Sequence, residues 1–291
     1  MAIYHEYSVI YSDAFVFPFN LIGSDYMEWW LIYLLTGAFV GFFAGLLGIG
    51  GGLIIVPVLI SIFTAQNFPA DRIIHLALGT TMATIIFTSA VSLRTHHQHR
   101  AVDWQVVKNI TPGIFLGTFG GAALASSMTG QLLSIIFVIF IFYAATQMLL
   151  QFRPNPIFQL PGKTGLFFAG GFIGALSSLV AIGGGLLSVP FLTLCNVKLQ
   201  HAIGTAAAIG FPIALAGTAG YIANGYIQPE KLPDYSLGYV YLPALAWLVL
   251  ASMLTAPLGA RLTHSTKTAI LRTVFVVLLY SLAIRMLVSL L

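Results

Sequence analysis

From Ile73 to Leu93 the chain passes without a single Asp, Glu, Lys or Arg. About 20 consecutive apolar residues are what an α-helix needs to cross the hydrocarbon core of a bilayer. Apolar segments of similar length, holding no Asp or Glu and only Lys108, Arg272 and Arg285 as basic residues, run from Trp29 to Gly48, Val106 to Ser126, Leu132 to Leu150, Ala202 to Ala223, Tyr239 to Leu258 and Ile270 to Leu290. Only 7% of the 291 residues are charged, where a water-soluble domain carries about 25%. A soluble globular fold is therefore excluded. The reading is an all-α polytopic membrane protein with about eight to ten transmembrane or re-entrant helices.

The apolar order repeats. A long segment, three glycines and a short apolar piece (Leu53 to about Phe63) are followed by three full spans. After Arg153 to Lys163, which reads as a loop, Leu166 to Val180 leads into a second triple glycine, a short piece from Leu186 to Leu194, and three more spans. GFFAGLLGIGGGLIIVP, from Gly41 to Pro57, aligns without a gap on GALSSLVAIGGGLLSVP, from Gly174 to Pro190. Leu78-Gly79-Thr80 matches Ile203-Gly204-Thr205, and Gly121 to Leu149 aligns on Gly259 to Leu287. Internal repeats of this kind are a hallmark of secondary transporter folds. The expected organisation is an acidic leader at the membrane surface (1–28), a first repeat (29–152), a cytoplasmic linker (153–163) and a second repeat (164–291).

Lys and Arg accumulate on cytoplasmic loops. With both termini outside, nine basic residues fall inside: Arg94, Arg100, Lys108, Arg153, Lys163, Lys198, Arg261, Lys267 and Arg272. Arg72, Lys231 and Arg285 fall outside. Each half then makes an odd net number of crossings, so the second repeat is inverted relative to the first. Residues 1–28 hold no Lys or Arg, unlike the positive start of a cleaved signal.

The two glycine joins, Gly50-Gly51-Gly52 and Gly183-Gly184-Gly185, break helices at mid-depth. Each glycine weakens a helix by about 1 kcal/mol relative to alanine, and irregular backbone inside a bilayer is tolerated only where protein or a watery cavity satisfies it. The short helices would aim first-turn N–H groups at that point, and a helix N-terminus attracts anions. Pro57 and Pro190 are read as hinge or helix-break positions. Thr80, Thr81 and Thr205, with Ser177 and Ser178 one turn before the second join, offer hydroxyls to the same ligand. The competing fate of such hydroxyls is a bond to their own helix carbonyls. His75 and His201, near the start of equivalent helices, are further candidates, against an ordinary interfacial role. Gly37, Gly41 and Gly45, and Gly113, Gly117 and Gly121, form ladders that suit close helix packing.

Several chemistries are excluded. A single cysteine, Cys195, rules out an internal disulfide framework and a cysteine-based zinc site. His96, His97 and His99 beside Arg94 and Arg100 read as a solvated basic loop rather than a metal site. No Asp or Glu lies within a span, which argues against a carboxylate proton relay. Gly48-Ile49-Gly50 lacks the third spaced glycine of a dinucleotide site, and Gly162-Lys163-Thr164 has Ile157 where a Gly-x-x-x-x-Gly-Lys-Ser/Thr phosphate loop needs its first glycine. Neither a cofactor nor a metal is expected. The formal charge of +4 is scattered, so nucleic acid is not an expected partner. An intramembrane enzyme would need a catalytic motif, and none is found.

At GLLGIGGGLIIVP and LVAIGGGLLSVP the chain resembles the sulfite exporter TauE/SafE family, also called TSUP transporters. The repeated Gly-Gly-Gly-x-x-x-x-Pro block, Gly50 to Pro57 and Gly183 to Pro190, is the specific part, and the paired Gly-Thr steps support it. The resemblance implies a multi-pass inner-membrane transporter of sulfur-containing anions: sulfite, sulfoacetate, taurine-related sulfonates or other organosulfur anions. Export is the expected direction, because an inside-negative potential contributes about 2.3 kcal/mol per 100 mV for each anionic charge that leaves. The alternatives are an anion channel on the same scaffold and a coupled importer. The lipid bilayer is the other expected partner; oligomeric state is not legible.

Overall fold

The structure is a computed structural model describing residues 29–47, 51–150, 158–227, 232–262 and 268–290. Ten helices are present among these residues: α1 (Trp29–Leu47), α2 (Gly52–Ala65), α3 (Ile73–Gln98), α4 (Trp104–Ser127), α5 (Gly130–Leu150), α6 (Lys163–Leu179), α7 (Gly185–Leu194), α8 (Leu199–Ile227), α9 (Leu242–Leu262) and α10 (Thr268–Leu290). A two-stranded hairpin, β1 (Ser236–Leu237) and β2 (Val240–Tyr241), precedes α9. The protein is an all-α polytopic membrane protein. Five helices are long and apolar enough to cross a bilayer: α3, α5 and α8, with Leu242–Gly259 of α9 and Thr273–Leu290 of α10.

The short helices differ. α2 has 14 residues and α7 has 10. At about 1.5 Å per residue they reach roughly 21 and 15 Å, against a hydrocarbon core of about 30 Å. Neither spans by itself.

Long and short helices recur in the same order, α1 to α5 and then α6 to α10. The packing shows why neither set stands alone. The most extensive helix contacts are α4 with α6 and α1 with α9, so the first helix of each set packs on the fourth of the other. Glycines make both seams. A β-carbon at Gly37 would lie 2.7 Å from the Leu248 carbonyl oxygen, and one at Gly41 would lie 2.5 Å from Ser252 Cα. On the other seam, β-carbons at Gly117 and Gly121 would strike Gly171 and Ala175. The two glycine ladders therefore act as packing surfaces.

The central pair is α3 with α8. Met82 packs on Gly217, and Ser89 lies near Gly210. Residue numbers rise on one helix as they fall on the other, so these equivalent helices run antiparallel. An inverted repeat requires that relation. The apolar core runs around this pair, including Leu53, Leu59, Phe63, Leu76, Leu78, Ile110, Ile209 and Ile213, all nearly or fully buried.

Three boundaries differ from the sequence reading. Tyr239 belongs to the hairpin, not to α9, which starts at Leu242. α6 starts at Lys163, after an uncapping Gly162. α3 continues past Leu93 to Gln98 and takes His96 and His97 into its last turn. Apolar periodicity stops where side chains reach water, but the backbone ladder continues there. Residues 1–28 and Gly50 lie outside the described residues.

Candidate functional site

The helix breaks occur at the glycines. Gly51 and Gly184 are the N-caps of α2 and α7, with φ of 71° and 63°. That left-handed backbone costs an L-residue about 1–2 kcal/mol, so glycine is the residue that turns the chain there. Neither N-cap has a side chain with which to cap its helix. Ile54 and Ile55 N–H groups bond the Gly51 carbonyl, and those of Leu187 and Ser188 bond the Gly184 carbonyl.

Pro57 and Pro190 do not break anything. Both lie inside continuous helices, α2 and α7. Ser61 donates to the Pro57 carbonyl at 2.9 Å, and Thr193 to the Pro190 carbonyl at 2.9 Å.

The two joins meet. A β-carbon on Gly52 would overlap the carbonyl oxygen of Ala181, the residue two before the second triple glycine, and would lie 3.3 Å from Ile85 Cδ1. Gly184 faces α8, with Ile213 Cδ1 3.1 Å and Gly210 N 3.3 Å from its notional β-carbon. Both joins therefore sit inside the bundle against the α3–α8 pair.

A cavity of about 130 Å³ reaches the second join. Gly183 lines it, with Ala44 and Gly45 of α1, Ala207 of α8, and Ala256 and Pro257 of α9. The remaining wall is one face of α3: Ile85, Thr88, Ser89, Val91, Ser92, Thr95 and His96. None of these lining residues is charged as Lys, Arg, Asp or Glu. Their spacing of three and four is the helical repeat, so the hydroxyls form a stripe leading from the join to the end of α3. Thr88 and Ser89 donate to helix carbonyls at 3.3 and 3.1 Å. Those are long for O–H···O bonds, which centre near 2.7–2.8 Å. Ser126 and Ser134, elsewhere in the protein, hold theirs at 2.8 Å. Thr95 donates to the Val91 carbonyl at 3.0 Å, and hydroxyls of this kind can turn from a helix carbonyl to an anion in the cavity.

This stripe lies apart from the hydroxyls that the sequence reading singles out, Thr80, Thr81, Thr205, Ser177 and Ser178. The signal was present: Thr88 and Ser92 recur at helical spacing on the charge-free run, and Thr95 continues the spacing just past Arg94.

The expected hydroxyls have other places. Thr80 Oγ1 accepts the Tyr241 N–H at 3.0 Å, and Thr205 Oγ1 accepts the Asp103 N–H at 2.9 Å. Asp103 is the N-cap of α4, and Tyr241 immediately precedes α9. β-Carbons on the neighbouring Gly79 and Gly204 would strike the carbonyls of Tyr239 and Ala101. Each Gly-Thr step is therefore a socket for the start of the other half's fourth helix: glycine admits a carbonyl, and threonine takes the N–H two residues on. Replacing Thr205 by valine leaves the Asp103 N–H without this acceptor. The expected cost is about 1–3 kcal/mol, read as a drop in thermal midpoint, with Thr80→Val giving a similar loss. An unchanged midpoint in both would refute the socket.

Of the others, Thr81 and Ser177 are fully buried with hydroxyls that have no hydrogen-bond partner. Ser178 donates to the Ala175 carbonyl at 2.8 Å. His75 is buried, its Nε2 bonded to the Ala125 carbonyl at 3.1 Å, with its ring against Tyr239. It ties α3 to the end of α4. His201 is exposed and does not line the cavity. Among the described residues, Gly183 is thus the one expected site residue that lines the cavity wall.

Residues 33–286 match the family described as sulfite exporter TauE/SafE. The chain belongs to that family. Among its relatives is a probable membrane transporter protein of Haemophilus influenzae, 36% identical over 258 residues, which cover 88% of this chain and 97% of the relative. A probable membrane transporter protein of Methanocaldococcus jannaschii is 25% identical over 83% of this chain and 89% of its own. One from Bacillus subtilis is 24% identical over 84% and 94%. No solved structure matches. The sulfite exporter family is one of membrane transporters, so a small-molecule substrate and the lipid bilayer are the partners that membership carries.

Proposed function

We propose that this TauE/SafE protein is an alternating-access carrier that moves a small sulfur-containing anion out across the inner membrane. The supporting observation is the cavity that ends at Gly183, where a helix begins without a side-chain cap. Sulfite, sulfoacetate and other sulfonates present several acceptor oxygens. Hydroxyls of Ser89 and Ser92 suit them without a lysine or arginine, whereas the N–H groups of Gly184, Gly185, Leu187 and Ser188 at the join are already bonded to the carbonyls of Ile182, Gly183 and Gly184. The cavity lining reaches Thr95 and His96 at the end of α3, beside Arg94 and shortly before Arg100, a face that the distribution of basic residues assigns to the cytoplasm. An anion entering there meets basic residues first and hydroxyls next. A cavity that ends at mid-depth favours a carrier over a channel.

The test is counterflow of labelled sulfite and sulfoacetate in proteoliposomes at two clamped potentials. Trans-accelerated uptake that shifts with potential is the expected result; its absence for both anions, in vesicles holding folded protein, would overturn the substrate class. Ser89→Ala together with Ser92→Ala removes two donors, each worth about 1 kcal/mol. The half-saturation concentration should rise roughly tenfold or more. An unchanged value would move the binding site away from the α3 stripe.

A further inference from the structure

The repeat predicts a second cavity, and the structure shows what occupies its place. Continuing the registers of the matched segments carries six lining residues of the open cavity onto buried equivalents in the other half. Ala44 and Gly45 fall on Ser177 and Ser178, Ala256 on Thr118, Ala207 on Met82, Ser92 on Gly217 and His96 on Tyr221. Ser177, Ser178, Thr118, Met82 and Tyr221 are fully buried, and Gly217 is buried with them. Where one side is hollow, the other is filled.

The filling has a definite form. Tyr221 donates its phenol proton to the Ser178 carbonyl at 2.9 Å, joining α8 to α6. The Met82 sulfur lies 3.1 Å from the point a β-carbon on Gly217 would take, joining α3 to α8. Behind these contacts, the hydroxyls of Ser177 and Thr118 have no hydrogen-bond partner. A fully buried polar group left unpaired costs about 1–3 kcal/mol. The open cavity has alanine at both equivalent positions, so the repeat does not require hydroxyls there for packing.

We propose that Ser177 and Thr118 belong to a second, closed anion vestibule on the opposite side of the joins, gated by Tyr221 and Met82. The proposal rests on the carrier reading above. When Tyr221 releases Ser178 and Met82 leaves Gly217, the two hydroxyls face a path continuous with the join and donate to the oxyanion or sulfonate as it leaves. The glycine at 217 provides the flat surface on which Met82 seats. The small side chain at the matching position of the open side, Ala207, leaves that side hollow.

The test uses thiol access in full-length purified protein. In a Cys195→Ser background, single cysteines replace Ala44, Ala256, Ser177 and Thr118. The probe is 2-sulfonatoethyl methanethiosulfonate, a small anionic sulfonate. Ala44→Cys and Ala256→Cys are expected to react readily, and Ser177→Cys and Thr118→Cys slowly. Adding Tyr221→Ala should accelerate the slow pair by about tenfold or more, the shift expected for losing a buried hydrogen bond with its ring packing. It should leave Ala44→Cys unchanged. If Tyr221→Ala does not yield monodisperse protein, Tyr221→Phe, which removes only the hydroxyl, and Met82→Ala give the same direction. No acceleration at either cysteine in any of these gate variants would overturn the vestibule while leaving the carrier reading intact. Unreactive Ala44→Cys and Ala256→Cys would overturn the open cavity itself, and the vestibule with it.

Discussion

Replacing Gly184 by leucine is expected to abolish anion flux while the protein still inserts and remains monodisperse. At φ of 63° the leucine backbone is strained by about 1–2 kcal/mol. Its β-carbon would lie 3.1 Å from Ile213 Cδ1 and 3.3 Å from Gly210 N, so the rest of the side chain must push α7 away from α8. Overpacking of this kind costs about 1–3 kcal/mol. That sum displaces the start of α7, where the ligand is proposed to bind. It does not touch the long spans on which insertion depends. Counterflow in proteoliposomes should fall at least 100-fold, and size-exclusion chromatography should be unchanged. Flux within twofold of the parent would remove the second join from the transport path.

Gly117→Leu should have the largest effect on stability, and Gly120→Leu on the same helix should have nearly none. A β-carbon at Gly117 would lie 2.6 Å from the Gly171 carbonyl carbon, and backbone cannot give way as a side-chain end can. Seating leucine there requires α4 and α6 to separate along the seam joining the two halves. Nothing lies within 4 Å of a β-carbon at Gly120, which is exposed. The expected cost at Gly117 is about 3 kcal/mol or more, beyond the usual overpacking range because the obstacle is main chain. Thermal denaturation in detergent reads the contrast. Equal midpoints for the two variants would mean the seam is not as close as drawn.

Much of the site was only half legible in the sequence. The joins were legible because three glycines inside an apolar run have few uses in a bilayer. The prolines were misread because helices tolerate proline inside a membrane when neighbours and side chains satisfy the freed carbonyls. The carbonyls that lose their N–H donor are those of Leu53 and Leu186, four residues before each proline and in the first turn of a short helix. Thr80 and Thr205 were correctly seen as a repeated pair, but the pairing does not say what a hydroxyl faces. Each meets a backbone N–H from the opposite half, some 100 or more positions away in the chain, and no local pattern encodes such a partner. The α3 hydroxyl stripe was visible as a period but had no evident purpose until the small residues of α1, α8 and α9 hollowed the space opposite it.

The sequence by itself determined the solvent, the helices, the duplication and the family. Charge-free runs of about 20 residues leave the backbone no way to satisfy itself in lipid except as helices. Matched glycines and prolines mark the two halves. Only the tertiary structure decided which halves of the repeat touch, which hydroxyls are used up in helix sockets, and which side of the fold is hollow. The physical reason is that a repeated sequence encodes two equivalent sites. Being open at one and filled at the other depends on long-range packing: Tyr221 bonded to Ser178, and Met82 seated on Gly217.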